Sequence, residues 1–204
     1  MGSRVTLWRV LVAPSLLAMF HQRYRERTIT AISDTYGAHR RLRLPQTDIL
    51  IHCGDACTDG DEAQLQDFFA WFVAQPARHK LFISGNHDLP FELEPEEALA
   101  LVPPGIRYLD NKMVRIEGIV FQSLPARPWL HEIPEIKEKV DFLLTHGPAQ
   151  GLLDAGLGCP KLRTYVAELE PAFHLFGHIH ETAAQSLQHG KTHFKNVIPA
   201  EISR

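Results

Sequence analysis

A chain of 204 residues with 45% hydrophobic and 22% charged residues has the balance of a single globular domain with a sizeable core. A formal net charge of −3 argues against a general electrostatic nucleic-acid binder, while leaving room for a local basic patch. Three cysteines, at 53, 57 and 159, are too few and odd in number for a disulfide framework, which points to a reducing, cytoplasmic compartment.

The N-terminal stretch VTLWRVLVAPSLLAMF (5–20) is apolar, interrupted by Arg9 and Pro14, and followed by the basic HQRYRER. It is too short and too broken to span a bilayer. Residues 1–27 therefore read as an accessory extension, packed on the domain or loosely ordered, that leaves targeting open. The domain itself is placed at 28–204. TITAIS (28–33) reads as a buried strand ending at Asp34, and DILIHC (48–53) as a second ending at Gly54-Asp55. Leu65, Phe68, Phe69, Phe72 and Val73 recur at helical spacing within 61–75, behind a polar start at Asp59 to Asp61. KLFIS (80–84) is a third strand, ending at Gly85-Asn86-His87-Asp88, and PEEALAL (95–101) is a short helix. Residues 112–124 read as two strands turning at Glu117-Gly118. VDFLLT (140–145) is a buried strand ending at His146. A helix follows over 159–171, with Leu162, Tyr165, Val166 and Leu169 on one face. AFHLF (172–176) is a strand that runs into Gly177-His178-Ile179-His180. The tail reads as a hairpin around His189-Gly190.

Five apolar strands thus end in polar clusters: Asp34, Asp55, Asn86-His87-Asp88, His146, and His178 with His180. A lone Asp or His after a strand is an ordinary turn or capping residue. Five in register with five strand ends imply one shared site, because ligands of α/β sheets bind outside the carboxyl ends of strands. Carboxylate, amide and imidazole donors suit Mn, Fe, Zn or Ni. A two-metal site needs an anionic bridge, and Asp55 can offer one oxygen to each ion. Cys53 and Cys57 form a C-x3-C pair that could bind metal. With no second pair, two small core or loop residues are the expectation, His52 is expected as a core or sheet-face residue, and His174 as a structural one.

The blocks SDTY, CGDAC, SGNHD, LLTHGP and FGHIH resemble, in order and spacing, the five motifs of the calcineurin-like metallophosphoesterases. GNHDLPFE, LPARPWL and HLFGHIHE look closer still to the branch of the mammalian brain metallophosphoesterase-domain proteins and their bacterial relatives. The resemblance implies an α/β fold, a four-layer α/β/β/α sandwich of two mixed β-sheets flanked by helices. It implies one divalent ion on Asp34, Asp55 and His180, and a second on Asp55, Asn86, His146 and His178. It implies His87 beside the leaving group, with Asp88 orienting its imidazole. The implied reaction is hydrolysis of small phosphodiesters or cyclic nucleotides by a metal-bridging hydroxide, with Mn as the leading metal.

One block departs. The family's first motif is Asp-X-His, and here it is Asp34-Thr35-Tyr36. Tyr36 could ligate as a phenolate, His39 could reach in, or the first site could hold its ion weakly with Tyr36 packed beside it. Arg127 and Trp129 are the candidates for touching substrate, by phosphate pairing and base stacking, against a plain loop-anchoring role. Two alternative functions stay open. One is a nucleotide- or metal-binding module with little turnover, suggested by Tyr36. The other is a nuclease using the basic run His39–Arg43.

Overall fold

The alternation of apolar residues in the β-strands builds two sheets that share one buried interface. A computed structural model gives the fold over residues 19–203, so most of the 5–20 stretch lies outside the described residues. The strands are β1 (Phe20–Tyr24), β2 (Arg27–Ile32), β3 (Thr47–Cys53), β4 (Ala77–Ile83) and β5 (Ile106–Tyr108), then β6 (Met113–Ile116), β7 (Ile119–Ser123), β8 (Phe142–Leu144), β9 (Phe173–Phe176), β10 (Ser186–His189) and β11 (Thr192–Asn196). The helices are α1 (Glu62–Val73), α2 (Pro90–Leu93), α3 (Pro95–Leu101) and α4 (Pro160–Leu169). The first sheet has the order β1-β2-β3-β4-β5 and the second β10-β11-β9-β8-β7-β6.

Along β3, Ile49, Ile51 and Cys53 face the second sheet, and Leu50 faces α1. Along β4, Leu81 and Ile83 point inward and Phe82 outward. The inner residues meet Phe121, Phe142, Leu144, Phe173 and Leu175 of the opposite sheet in one core. This is the period-2 outcome of a strand buried on both faces. Outside the first sheet, α1 lays Leu65, Phe68, Phe69 and Phe72 on Phe82 and Leu50. Outside the second, α4 lays Leu162, Tyr165, Val166 and Leu169 on Val120, Leu143 and Phe176. The layers are therefore α/β/β/α, as the resemblance implies.

Local chemistry sets the boundaries. The Asp61 carboxylate accepts from the Gln64 backbone N–H at 3.0 Å and caps α1. The β6–β7 hairpin turns at Glu117 (φ 51) and Gly118 (φ 79), as the sequence predicts. The β10–β11 hairpin turns at Gly190 (φ 58).

The boundary expected after residue 27 falls inside a hairpin. β1 pairs antiparallel with β2, from Phe20 opposite Ala31 to Tyr24 opposite Arg27. Phe20 is buried in the inter-sheet core, and Phe20 and Tyr24 both pack edge-on against Phe173. The Tyr24 hydroxyl donates to Asp141 at 2.8 Å. Residues 20–27 are thus part of the first sheet.

What positions the site is direction. β2, β3, β4 and β5 run parallel, as do β7, β8, β9 and β11. Each parallel set delivers its carboxyl ends to one edge, and the inter-sheet packing brings the two edges together.

Candidate metal centre

Each expected ligand lies two to four residues past a strand. Asp34 follows β2, Asp55 follows β3, Asn86 follows β4, His146 follows β8, and His178 and His180 follow β9. The chain there keeps close contact without regular strand geometry. Asp34 N–H donates to Gly54 O at 2.9 Å, Tyr36 N–H to Asp55 O at 3.1 Å, and Gly177 N–H to His146 O at 2.9 Å. Asp34 (φ 56), Asp55 (φ 59) and His178 (φ 67) all adopt the left-handed conformation. Asp, Asn and His tolerate that conformation better than most non-glycine residues. Each reversal ends the strand and swings the side chain into the common space.

Two glycines make that space. A Cβ on Gly85 would overlap the Asp55 carboxylate, and one on Gly177 would overlap the Asp34 carboxylate and the Ser33 hydroxyl. Both backbones therefore approach a carboxylate more closely than any side chain allows.

Among the described residues, Asp55, His146 and His178 place one donor atom each within 4.8 Å of the others. His146 Nδ1 is hydrogen-bonded to Cys53 O at 2.8 Å, which leaves Nε2 for the centre. That Nε2 is 3.2 Å from Asp55 Oδ2 but is not directed at it as a hydrogen bond. It and Asn86 Oδ1 are both buried and lack a hydrogen-bond partner among the described residues. Buried polar atoms are nearly always satisfied. Two orphans beside a convergent Asp and His pair fit a divalent cation, with Asn86 as a fourth donor.

The electrostatics agree. Burial raises the Asp34 carboxyl to about 7, and the Asp55 charge adds to this against the pull of His146. Burial works to raise Asp55 too, but the close positive charge of His146, with the Tyr36 hydroxyl and the His87 backbone N–H, holds it well below the usual carboxylate range. Burial opposes protonation of His146, yet Asp55 and then Asp34 outweigh it and raise the imidazole to about 10. His178 is lowered to about 4 by burial and by the positive charge of His146. Two carboxylates buried beside an imidazole are a site that favours added positive charge.

Tyr36 lies inside this cluster. Its hydroxyl donates to Asp55 Oδ2 at 2.6 Å and to Asp34 Oδ1 at 3.3 Å. Burial and the two carboxylates push the phenol far above its ordinary pKa, so it is a neutral donor. This argues against ligation as a phenolate. His39 does not reach the site. Its Nε2 is 3.0 Å from Asp67, and its ring packs on Phe68 and Trp71 outside the first sheet. The three-residue reach from Tyr36 is spent in a 3-10 turn, Ala38–Arg41, that buries His39 away from the strand ends.

His87 and Asp88 divide their labour differently from the expectation. Asp88 does not hold the His87 imidazole. Its Oδ2 accepts from the backbone N–H of Asp55 at 2.8 Å and Gly85 at 2.9 Å, and its Oδ1 from Ala56 at 2.9 Å and Cys57 at 3.1 Å. Asp88 is the knot that ties the β3 and β4 ends together. Asp59 is the residue that meets His87 Nδ1, at 2.7 Å. In the sequence Asp59 reads only as part of the polar start of the 61–75 helix. Its proximity to His87 arises only when the β3 and β4 ends lie side by side, with Gly60 N–H on His87 O at 2.9 Å.

Arg127 is held by Asp110 at 2.6 Å, and the Trp129 indole donates to Leu157 O at 2.9 Å while its ring is exposed. Both contacts are loop-anchoring, and among the described residues no hydrogen bond or ion pair joins either one to the metal cluster. Cys53 and Cys57 are both buried and pack in different cores, so the C-x3-C pair is structural. His52 bonds Thr35 and packs among Phe68, Phe72 and Phe82, and His174 bonds Thr145. Both are core residues, as expected.

Comparison with known proteins agrees with this geometry. The family described as calcineurin-like phosphoesterase matches residues 24–182. The human metallophosphoesterase domain-containing protein 1 is 30% identical over 193 residues, covering 74% of this chain and 59% of that protein. The chain thus spans about three fifths of that relative. A UPF0046 protein of Caenorhabditis elegans is 29% identical, covering 82% of this chain and 68% of its own length. The fold is shared with the TT1561 protein of Thermus thermophilus, with a TM-score of 0.60 and 14% identity over 85% of this chain and 89% of that one. It is shared also with the phosphopantetheinyl hydrolase of Mycobacterium tuberculosis, with a TM-score of 0.57 and 13% identity over 82% and 87%. With the matched model spanning the strand ends from Asp34 to His180, the chain belongs to the calcineurin-like phosphoesterase family.

Proposed function

We propose that the protein is a metal-dependent phosphoesterase that hydrolyses small phosphodiesters, cyclic nucleotides among them. The observation that carries this reading is the convergence of Asp55, His146 and His178 beside the orphaned Asn86 Oδ1 and His146 Nε2. These four side chains would hold a divalent ion, Mn2+ first among the candidates. When bound, such an ion polarises a phosphoryl oxygen and lowers the pKa of a water. The chain's own residues do the rest. His87 stands at the rim, about one third exposed, with Nδ1 on Asp59. Its Nε2 is then the nitrogen that meets a substrate oxygen, stabilising charge there or delivering a proton to the leaving group. The Asp88 knot and the Gly85 contact fix Asp55, so the carboxylate is in place before substrate arrives.

The test is turnover of bis(p-nitrophenyl) phosphate with added Mn2+, against chelator-treated protein and against His87→Ala. Metal-dependent turnover that falls by about a hundredfold or more in His87→Ala supports the assignment. Stoichiometric metal binding with no turnover of any phosphoester supports the binding-module alternative instead. The nuclease alternative loses part of its footing, because Arg40 pairs with Asp67 and Arg41 donates to Glu201 O at 3.1 Å.

A further inference from the structure

The first cation position implied by the family motif is bounded by Asp34, Asp55 and His180. The Tyr36 hydroxyl lies between them. It donates to Asp55 Oδ2 and Asp34 Oδ1, and His180 Nε2 is 3.6 Å from that same Asp34 oxygen. An ion at this position would need the lone pairs that the hydroxyl already engages. The other Asp34 oxygen is taken by the Ser33 hydroxyl and by the His178 N–H at 3.0 Å. The ring is fixed on two sides. It stands edge-on to His87 at 5.2 Å and is stacked on His180 at 5.8 Å. Its backbone is pinned by the N–H to Asp55 O. These donors fit a phenol and do not fit a second cation.

We infer that the Tyr36 hydroxyl is the neutral occupant of the first position, so that the centre takes a single divalent ion and selects monoanionic phosphodiesters over dianionic monoesters. The charge arithmetic gives the selectivity. Asp34 and Asp55 together bring at most two negative charges. One divalent ion cancels them, whereas two ions leave an excess of two positive charges. A phosphomonoester has a second pKa of about 6 and is largely dianionic at neutral pH. A diester carries one charge. Replacing an ion by a phenol therefore removes the attraction that a dianion needs most. The substrate part rests on the proposed phosphoesterase activity. The occupancy part does not.

The experiment is Mn2+ titration of the full chain, wild type, Tyr36→His and Tyr36→Phe, read by calorimetry, native mass spectrometry and electron paramagnetic resonance. The expected wild-type result is one ion per chain with the six-line spectrum of an isolated Mn2+. Tyr36→His should take two ions and show an exchange-coupled pair. Tyr36→Phe keeps the ring, frees the carboxylate oxygens and should admit a second, weaker ion. Two ions of similar affinity in the wild type, or one ion in both folded variants, overturns the inference. Thermal unfolding checks that each variant is folded, and Tyr36→Phe keeps the test alive if Tyr36→His is not. The diester-to-monoester ratio of kcat/KM should fall by about tenfold or more in Tyr36→His, the scale of added charge in a partly screened site. If the stoichiometry changes and the ratio does not, the selectivity claim falls. If the stoichiometry changes and no variant turns over any phosphoester, the phosphoesterase reading falls and the occupancy stands.

Discussion

Asp88→Asn isolates the knot between the β3 and β4 ends. The change is isosteric and replaces one carboxylate oxygen by an NH2. Whichever oxygen is replaced, two of the four backbone N–H donors lose their acceptor and face another donor: Asp55 and Gly85 at Oδ2, or Ala56 and Cys57 at Oδ1. Asp88 is buried, so no water relieves the pair. At about 1–3 kcal/mol for each stranded buried donor, the loss is about 2–6 kcal/mol. For a domain of this size each kcal/mol moves Tm by roughly 2–4 °C, so the expected fall is roughly 5–20 °C. The assay is thermal unfolding of metal-free protein at pH 8. Burial, with the Asp55 charge, raises Asp88 to about 6, so the wild-type carboxylate is ionised under those conditions. Metal affinity should weaken as well, because Asp55 loses its fixed backbone. A Tm within about 2 °C of wild type, with reduced turnover, refutes the knot and restores the view that Asp88 acts through His87.

Two further outcomes follow from the same geometry. Asp59→Ala should lower turnover by roughly tenfold, the low end for losing a hydrogen-bond partner of a functional imidazole. It should leave Tm unchanged, because Asp59 is largely exposed and contributes little to stability; a marked fall in Tm, or unchanged turnover, counts against the pairing. Metal binding at pH 7.5 should release about one proton per ion from His146, measured by calorimetry in buffers of different ionisation enthalpy. The folded imidazole is raised from 6.5 to about 10 by Asp55 in spite of burial, so its stabilising contribution to metal-free protein is complete below about 6.5 and lost as pH rises through about 10. An ion needs the lone pair that this proton occupies. Uptake without proton release shows that His146 is already neutral.

The sequence carries the fold through its strand ends. Asp34, Asp55, Asn86, His146 and His178 can be grouped without a structure because each terminates an apolar run, and parallel strands bring such ends to one edge. β1 is not legible in the same way. FHQRY buries Phe20 and exposes the next three residues, so an edge strand there has no alternation to read. The roles of Asp88 and Asp59 are hidden for a different reason. Asp88 adjoins His87 in sequence and Asp59 lies 28 residues before it, and only the lateral packing of two loops decides which one touches the imidazole. His39 shows the converse. Its spacing from Asp34 allows approach, but the apolar pull of Phe68 and Trp71 and the charge of Asp67 turn it outward. Tyr36 is visible as a departure from a motif. Its hydroxyl position comes from the backbone reversal at φ 42 and the two flanking imidazoles.

The left-handed backbone at Asp34 and Asp55 bears on how substitutions there are to be interpreted. Alanine at either position deletes a ligand and also installs a residue disfavoured in that conformation by about 1 kcal/mol. Lost activity in such a variant would mix coordination chemistry with chain geometry. Asparagine tolerates the same reversal while removing the charge, so it is the cleaner control. Glutamate, the usual conservative replacement for aspartate, is the poorer one, since it keeps the charge but loses the short side chain that suits the turn.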